Sequence, residues 1–433
     1  MLNCLRATGI EGVTMTKFRD YHRNIKIRIL QIFLSDMVAG AIFPFMAIYF
    51  SEYFGAKLTG ILLVLNVVIG FIVGIYGGYY SDRMGRKKLM VIAGVIRMFA
   101  FFIMAFANSS VLISPELTFI MTLLVMASFG LDGPAADAMI IDITKPSQRK
   151  GVYSLMYWCF NLAFAVGGIV GALTFKNYLF ELLLTLAITN VLSNILVIFF
   201  IEETMEKVEA TKEKRVLRSI VKSYKEVAGD KVFIYFVIAG LLIQSIENQM
   251  ENYIGVRLNE EMPAQSLFFF DVTGVEMVGF LKSENTIIVV LLTVFITKWV
   301  SKLKEDRAFL MSIFVFTVGY VAISYFNNVW LLFIFMAVAT IGELMRVPIQ
   351  SDFMASIPSD DKRSSYMAVY GMVFNGSMMI SSIFVSLGAI FSTEVMSLLI
   401  FASGLLGMAI TKKILPDLKE RRQLQANQEQ SLS

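Results

Sequence analysis

The sequence predicts an all-α integral membrane protein of twelve transmembrane helices in two six-helix halves. Three observations carry that expectation. Hydrophobic residues make up 57% of the 433 and charged residues only 17%, whereas soluble domains average about 25% charged. Such an apolar surplus cannot be hidden in soluble cores. Apolar stretches of about 17–25 residues follow one another from residue 28 onward, each long enough to cross roughly 30 Å of hydrocarbon with its backbone satisfied internally. Finally, with both termini cytoplasmic, all but six of the 38 Lys and Arg fall on the cytoplasmic side. Lys57, Lys176, Arg257 and Lys282 lie outside, and Arg97 and Arg346 lie within spans. This is the alternation that the positive-inside rule requires.

The elements follow in order. Residues 1–27 form a polar, basic cytoplasmic tail with no apolar core, unlike a cleavable secretion signal. The N-terminal half, 28–201, holds spans at about 28–50, 58–80, 89–108, 117–141, 151–173 and 179–201. The cytoplasmic central loop, 202–231, is rich in Glu and Lys, and Val216, Leu217, Ile220, Val221, Tyr224 and Val227 recur at helical spacing, predicting an amphipathic helix on the inner membrane surface. The C-terminal half, 232–412, holds spans at about 232–256, 285–303, 309–326, 329–350, 366–391 and 395–412. Between its first two spans, β-prone runs on either side of Thr273-Gly274 predict a small hairpin. The cytoplasmic tail, 413–433, is charged and Gln-rich beyond Pro416 and is expected to be disordered.

The inventory excludes several chemistries. Two distant cysteines, Cys4 and Cys159, and a single histidine, His22, offer neither a disulfide framework nor a zinc centre. There is no GxxxxGK[ST] loop to cradle ATP phosphates. Work done by this chain is expected to draw on an ion gradient, with no cofactor, metal or nucleic-acid partner, and no enzymatic activity.

The loop after the second span reads Gly78-Tyr-Tyr-Ser-Asp82-Arg83-Met-Gly85-Arg86-Lys87-Lys88. A topology signal explains its basic residues. Gly78 suits close helix packing, Gly85 a tight turn, and Asp82 is an anion among four cations, able to form a charge-assisted lock between helices. This G-x-x-x-D-R-x-G-R-K pattern between the second and third of twelve spans resembles the signature loop of the major facilitator superfamily. The runs Ala138-Met-Ile-Ile-Asp142, Glu251-Asn252-Tyr253 and Ile341-Gly342-Glu343 resemble its drug/proton antiporter branch, of the lactococcal multidrug type. That resemblance implies the major facilitator fold, and it implies a gating role for Gly78, Asp82, Arg83, Gly85, Arg86 and Lys87. The chain departs from the branch at Glu251, where an Asp is usual, in lacking its Gly-Pro pair in the fifth span, and in lacking an Arg-centred motif in the fourth.

Ionisable groups in a span cost roughly 2.5–3.5 kcal/mol on insertion scales and mark function. Asp36, Asp132, Asp137, Asp142, Glu247, Glu251, Glu343 and Asp352 face only Arg97 and Arg346 as internal cations. Glu247 and Glu251 share a face at i, i+4, where two like charges favour one bound proton. Asp132 and Asp137 lie about 140° apart on a helix and rank lower. Asp352 reads as a solvated or paired helix end. Asp142, Glu251 and Glu343, then Glu247 and Asp36, are the expected proton-coupling or substrate-binding acids.

The expected function is proton-driven efflux of amphiphilic, often cationic compounds by alternating access, in a bacterial cell membrane with both termini cytoplasmic. Its partners are the lipid bilayer, its small-molecule substrates and protons. The alternatives are a proton-coupled uptake symporter for a small metabolite and, in another class, a non-transporting membrane sensor or enzyme.

Overall fold

The computed structural model describes residues 21–144, 146–205, 227–357 and 363–432. Twelve helices among them are long and apolar enough to cross a membrane. The first six are α1 (Arg23–Phe54), α2 (Ala56–Met84), α3 (Arg86–Phe106), α4 (Pro115–Ile143), α5 (Pro146–Thr174) and α6 (Leu179–Phe200). The seventh span is broken: α7 (Lys231–Asn248) passes through a 3-10 turn, Gln249–Glu251, into α8 (Tyr253–Glu261). A two-stranded antiparallel hairpin of β1 (Gln265–Leu267) and β2 (Phe270–Val272) follows. Then come α9 (Gly274–Val300), α10 (Glu305–Tyr325), α11 (Val329–Ser356), α12 (Arg363–Gly388) and α13 (Thr393–Leu432). The chain divides into two compact units. One holds the first six spans and Val275–Thr286 of α9, and the other holds the seventh span onward apart from that stretch.

In the first unit α1 packs on α5, α2 on α4, and α3 on both α4 and α6. Lipid supplies no hydrophobic force to draw helices together, so close backbone approach at small residues does the work. A β-carbon at Gly167 would stand 2.1 Å from the Met37 carbonyl oxygen, and one at Gly171 would stand 2.4 Å from that of Ala41. On α2 the residue that demands such closeness is Gly77, whose β-carbon would meet the Gly130 oxygen at 2.4 Å. Gly78, expected in that role, has its nearest neighbour at an ordinary 3.9 Å. The neighbouring residue faces the α4 backbone instead.

In the second unit α10 packs on α11 and α13, and α7 on α12 and α13. Asn248 and Asn252 flank the break in the seventh span. Their amides donate to Ser377 (3.0 Å) and Ser381 (2.9 Å) on α12, and so satisfy polar groups at an interrupted helix. The break also removes the regular i, i+4 alignment expected of Glu247 and Glu251.

Four further expectations meet the structure. α1 begins at Arg23, so Arg28 lies inside the first helix instead of at its edge. The hairpin exists, but it turns at Phe268-Phe269 and not at Thr273-Gly274. Gly274 instead opens α9 hard against α8, where a β-carbon would sit 1.9 Å from the Leu258 oxygen. Residues beyond Pro416, expected as a disordered tail, continue α13 to Leu432. Buried Leu415 and Leu418 hold that extension, together with ion pairs described below. The amphipathic helix expected over 216–227 falls mostly outside the described residues.

Candidate functional site

Four groups of charged side chains stand out, two of them inside the spans. In the first unit Asp132 on α4 is buried (6% exposed) and accepts from Arg97 Nη2 on α3 at 3.3 Å. Arg28 Nη1 on α1 lies 3.9 Å from the same carboxylate oxygen. Arg97 is itself buried and stacks over the Phe129 ring at 4.5 Å, while Arg28 donates to Gln31 at 2.8 Å. Asp36 lies within electrostatic reach of Arg28, Arg97 and Asp132, and Asp137 of Arg28 and Asp132. Asp132, ranked low from its helical angle, is therefore the acid on which both arginines converge. Three carboxylates share two guanidiniums, and Asp132 Oδ1 has no hydrogen-bond partner.

In the second unit the acids gather around Tyr320 on α10. Its ring is buried (2% exposed), and Glu247, Glu343, Glu251 and Arg346 are the charged groups acting on its hydroxyl. Gly342 lets the helices approach: a β-carbon there would meet the Phe316 backbone nitrogen at 2.4 Å, so α11 lies tight on α10, the helix that carries Tyr320. Glu247 accepts from Gln244 at 2.9 Å. Arg346 stacks over Phe316 at 5.0 Å and donates to Gln350 at 2.5 Å, and Gln350 donates to Tyr370 at 2.6 Å. Three of the acids singled out from the sequence, Glu247, Glu251 and Glu343, thus act on one buried hydroxyl.

The third group lies at the end of the first unit where α1 begins. Gly85 joins α2 to α3 with φ 102°, in a region L side chains rarely adopt. Arg86, the first residue of α3, donates to Ser81 Oγ (2.9 Å), to Asp82, and through Nε to Asp142 at 3.4 Å. Asp142 also accepts from Thr204 Oγ1 at 3.0 Å. Asp142, expected among the coupling acids, belongs to this helix-end network, away from the buried Asp132 group. Arg83 turns back onto Tyr79, donating to its hydroxyl and stacking at 5.3 Å.

Sequence reasoning missed Glu203. Its carboxylate accepts from the backbone N–H groups of Arg86 (2.9 Å) and Lys87 (3.1 Å), and so caps the positive N-terminus of α3. The Glu202-Glu203-Thr204 run closing the sixth span was the available signal. Glu284 was missed because its span was drawn from residue 285. In the structure it lies on the tenth residue after Gly274, within α9, with Oε2 buried and without a hydrogen-bond partner.

The second unit has its own helix-end network. Arg422 on α13 forms a two-pronged pair with Glu305 (2.7 and 2.6 Å) and donates to Asp352 at 2.6 Å. Arg421 does the same to Asp230 (2.6 and 2.9 Å), which also accepts from Tyr366 (2.8 Å) and from the Phe233 N–H (3.1 Å). Burial pushes the Asp230 carboxyl up, but these four hydrogen bonds prevail and hold it below the usual carboxylate range.

Comparison with known proteins agrees with this architecture. The chain is 37% identical over 388 residues to a Na(+), Li(+), K(+)/H(+) antiporter of Planococcus maritimus, covering 87% of this chain and 92% of that one. It is 24% identical over 336 residues to the multidrug resistance protein MdtH of Blochmanniella floridana, covering 76% and 77%. Among solved structures, a peptide transporter of the POT family in complex with sulfate superposes with a TM-score of 0.71 over 93% of this chain and 97% of that one, at 14% identity. A point mutant of the nucleoside transporter NupG superposes at 0.70 over 90% and 99%, also at 14%. These two likenesses are of fold alone. The profile of the Major Facilitator Superfamily matches residues 29–281 and 262–432, essentially the whole membrane-spanning chain. The chain is therefore a multi-pass membrane transporter belonging to the major facilitator superfamily.

Proposed function

We propose that this transporter exchanges protons for cations, exporting alkali-metal ions from the cytoplasm by alternating access. The observation that carries the reading is the grouping of Glu247, Glu251 and Glu343 about Tyr320, with Arg346 as the cation among them. Carboxylates gathered inside a span are costly when ionised and are stabilised by a bound proton or a bound cation. One occupant excludes the other, which is the minimum an antiporter needs. In the first unit, Asp36 and Asp132 share their field with two arginines. That group suits proton binding better than cation binding. The P. maritimus antiporter supports alkali cations as the substrate class.

Amphiphilic organic cations are the second reading, favoured by the MdtH relatives at lower identity. The network of Asp82, Gly85, Arg86 and Asp142 has the composition of a lock that must open when the transporter changes state. The distribution of Lys and Arg favours both termini in the cytoplasm, and the bacterial relatives favour a bacterial cell membrane.

Everted membrane vesicles, acidified inside and monitored with a pH-quenched dye, test the reading. Addition of NaCl, LiCl or KCl releases the quenching if cations are exchanged for protons, and an organic cation such as ethidium does so under the second reading. Glu343→Gln and Glu251→Gln are expected to abolish uphill exchange. A variant that has lost only coupling retains cation exchange down its own gradient. Vesicles that respond to neither class of cation, at parental protein levels, refute the proposal.

A further inference from the structure

The hairpin between the seventh and eighth spans ends in two side chains that a water-facing turn does not need. Phe269 is fully exposed and Phe268 is 73% exposed. Phe268 is also the one non-glycine residue with positive φ (56°) among the described residues. A turn in water at that position favours Gly, Asn or Asp. Keeping a bulky aromatic there costs backbone strain, and an observed outlier of this kind points to a use for the side chain.

The tip is held firmly. Gln265 on β1 donates to the Asn327 carbonyl at 2.5 Å and accepts from the Val329 N–H at 3.2 Å, so the hairpin is bound to the loop entering α11. That loop is fixed in turn by buried Arg257, which donates to the carbonyls of Ile323 and Phe326 and to Asn327 Oδ1. Leu267 and Val272 are buried at the hairpin's base. The Phe268 ring meets Trp330 edge-on, with centroids 5.4 Å apart. Trp330 is the second residue of α11 and is half exposed, the place and residue type of a membrane-interface belt.

We propose that Phe268 and Phe269, continuing the belt from Trp330, insert into the lipid leaflet at this face as an interfacial anchor. The partner is the boundary between headgroups and acyl chains, not a protein. Three observations favour lipid: the patch is continuous with a helix end that must lie at that boundary, it is purely aromatic, and the hairpin carries no basic residue that would select an anionic surface. Asp271 pairs across the hairpin with Ser266. It lies two residues from Phe269, about 7 Å along an extended strand. That matches the roughly 5–10 Å depth of interfacial insertion, with the carboxylate left at headgroup level.

The test uses the full chain with Cys4→Ser and Cys159→Ala, carrying an environment-sensitive fluorophore on Phe269→Cys or, as the shallow reference, on Ser266→Cys. Phe269 is fully exposed, so its replacement removes no packing. In phosphatidylcholine vesicles the label at 269 is expected to emit to the blue of that at 266. Nitroxide placed high on the acyl chains should quench it, and aqueous iodide should not. Salt should leave the pattern unchanged. Iodide quenching at 269 as strong as at 266 overturns the proposal. So does protection at 269 from both quenchers, or protection that disappears with one copy per nanodisc, since these outcomes assign the tip to a protein partner or a second copy.

Discussion

Replacing Asp132 by Asn separates a buried charge cluster from an incidental pair. In the parent, the Asp132 carboxylate is the anion 3.3 Å from Arg97 and 3.9 Å from Arg28, and all three side chains are at most 12% exposed. The amide keeps the shape but removes the charge on which both arginines converge, leaving Asp36 and Asp137 as the anions within reach of them. Breaking a buried pair by removing one partner costs roughly 3–5 kcal/mol. At roughly 2–4 °C per kcal/mol for a unit of this size, the melting temperature falls by about 6–20 °C. The buried, free Cys159 thiol on α5 gives a direct assay: a thiol-reactive dye reports its exposure on heating, in a Cys4→Ser background. Arg97→Gln is expected to cost less, because Arg28 still faces the carboxylate. The double variant should be more stable than the sum of the two losses predicts, since it removes both charges of the closer pair. A fall below about 3 °C for Asp132→Asn, together with additive losses in the double variant, refutes the cluster.

Two other outcomes follow from the helix-end networks. Asp230 is held below the usual carboxylate range in the folded protein, so its contribution is present above the unfolded value, near 3.9, and is lost as pH falls through the folded value. Thermal stability between pH 7 and pH 3 should therefore hold in the parent down to about pH 4 and then fall. Arg421→Gln should be less stable at neutral pH and lose less on acidification; identical profiles reject the Asp230–Arg421 link. Gly85→Ala demands an L side chain at φ 102°, about 1–3 kcal/mol of strain, and places its methyl 2.4 Å from the Glu203 carboxylate. It should therefore destabilise more than Glu203→Gln, which keeps one acceptor oxygen and loses about 0.3–1 kcal/mol of helix-end electrostatics. Equal effects in melting scans place the strain elsewhere.

What the sequence made legible divides along physical lines. The twelve spans were readable because lipid imposes one rule on every residue of a span, and the rule repeats. Asp82, Gly85 and Arg86 were readable because their contacts are local: Arg86 reaches Asp82 four residues back and Ser81 five back. Glu203 was not, because its partners lie 117 and 116 residues away and nothing in a Glu-Glu pair says which helix it caps. Arg28 was placed at the edge of its span and Glu284 just outside its own for one reason: apolar stretches mark where a span must be greasy, while the helix itself runs on past that limit. Glu247, Glu251 and Glu343 were each readable as acids within apolar spans. Their arrangement, around a tyrosine across a broken helix, depends on packing at Gly342 and on the serines of α12, which periodicity does not encode.

The two helix-end networks neutralise equivalent junctions with opposite charge patterns. In the first unit α3 opens on a run of cations, Arg86-Lys87-Lys88, which is unfavourable beside the positive end of a helix dipole. The carboxylate of Glu203 must therefore be brought in from beyond the sixth span, and Asp82 and Asp142 complete the neutralisation of Arg86. The second unit has the polarity reversed. α10 opens on Glu305 and Asp306, acids that suit a helix N-terminus without help. Lys304 and Arg307 flank those acids in sequence, but it is Arg422 that bridges Glu305 at the start of α10 to Asp352 near the end of α11, while Lys419 pairs with Asp306. The span ends joined are equivalent in the two halves: the third span to the fourth, and the ninth to the tenth. The segment 298–307 keeps four basic residues, Lys298, Lys302, Lys304 and Arg307, but has none of the glycines of the loop after the second span. These contacts also give α13 a reason to continue past Pro416: a helix that stopped at the membrane would leave Glu305, Asp352 and Asp230 without the arginines that hold them.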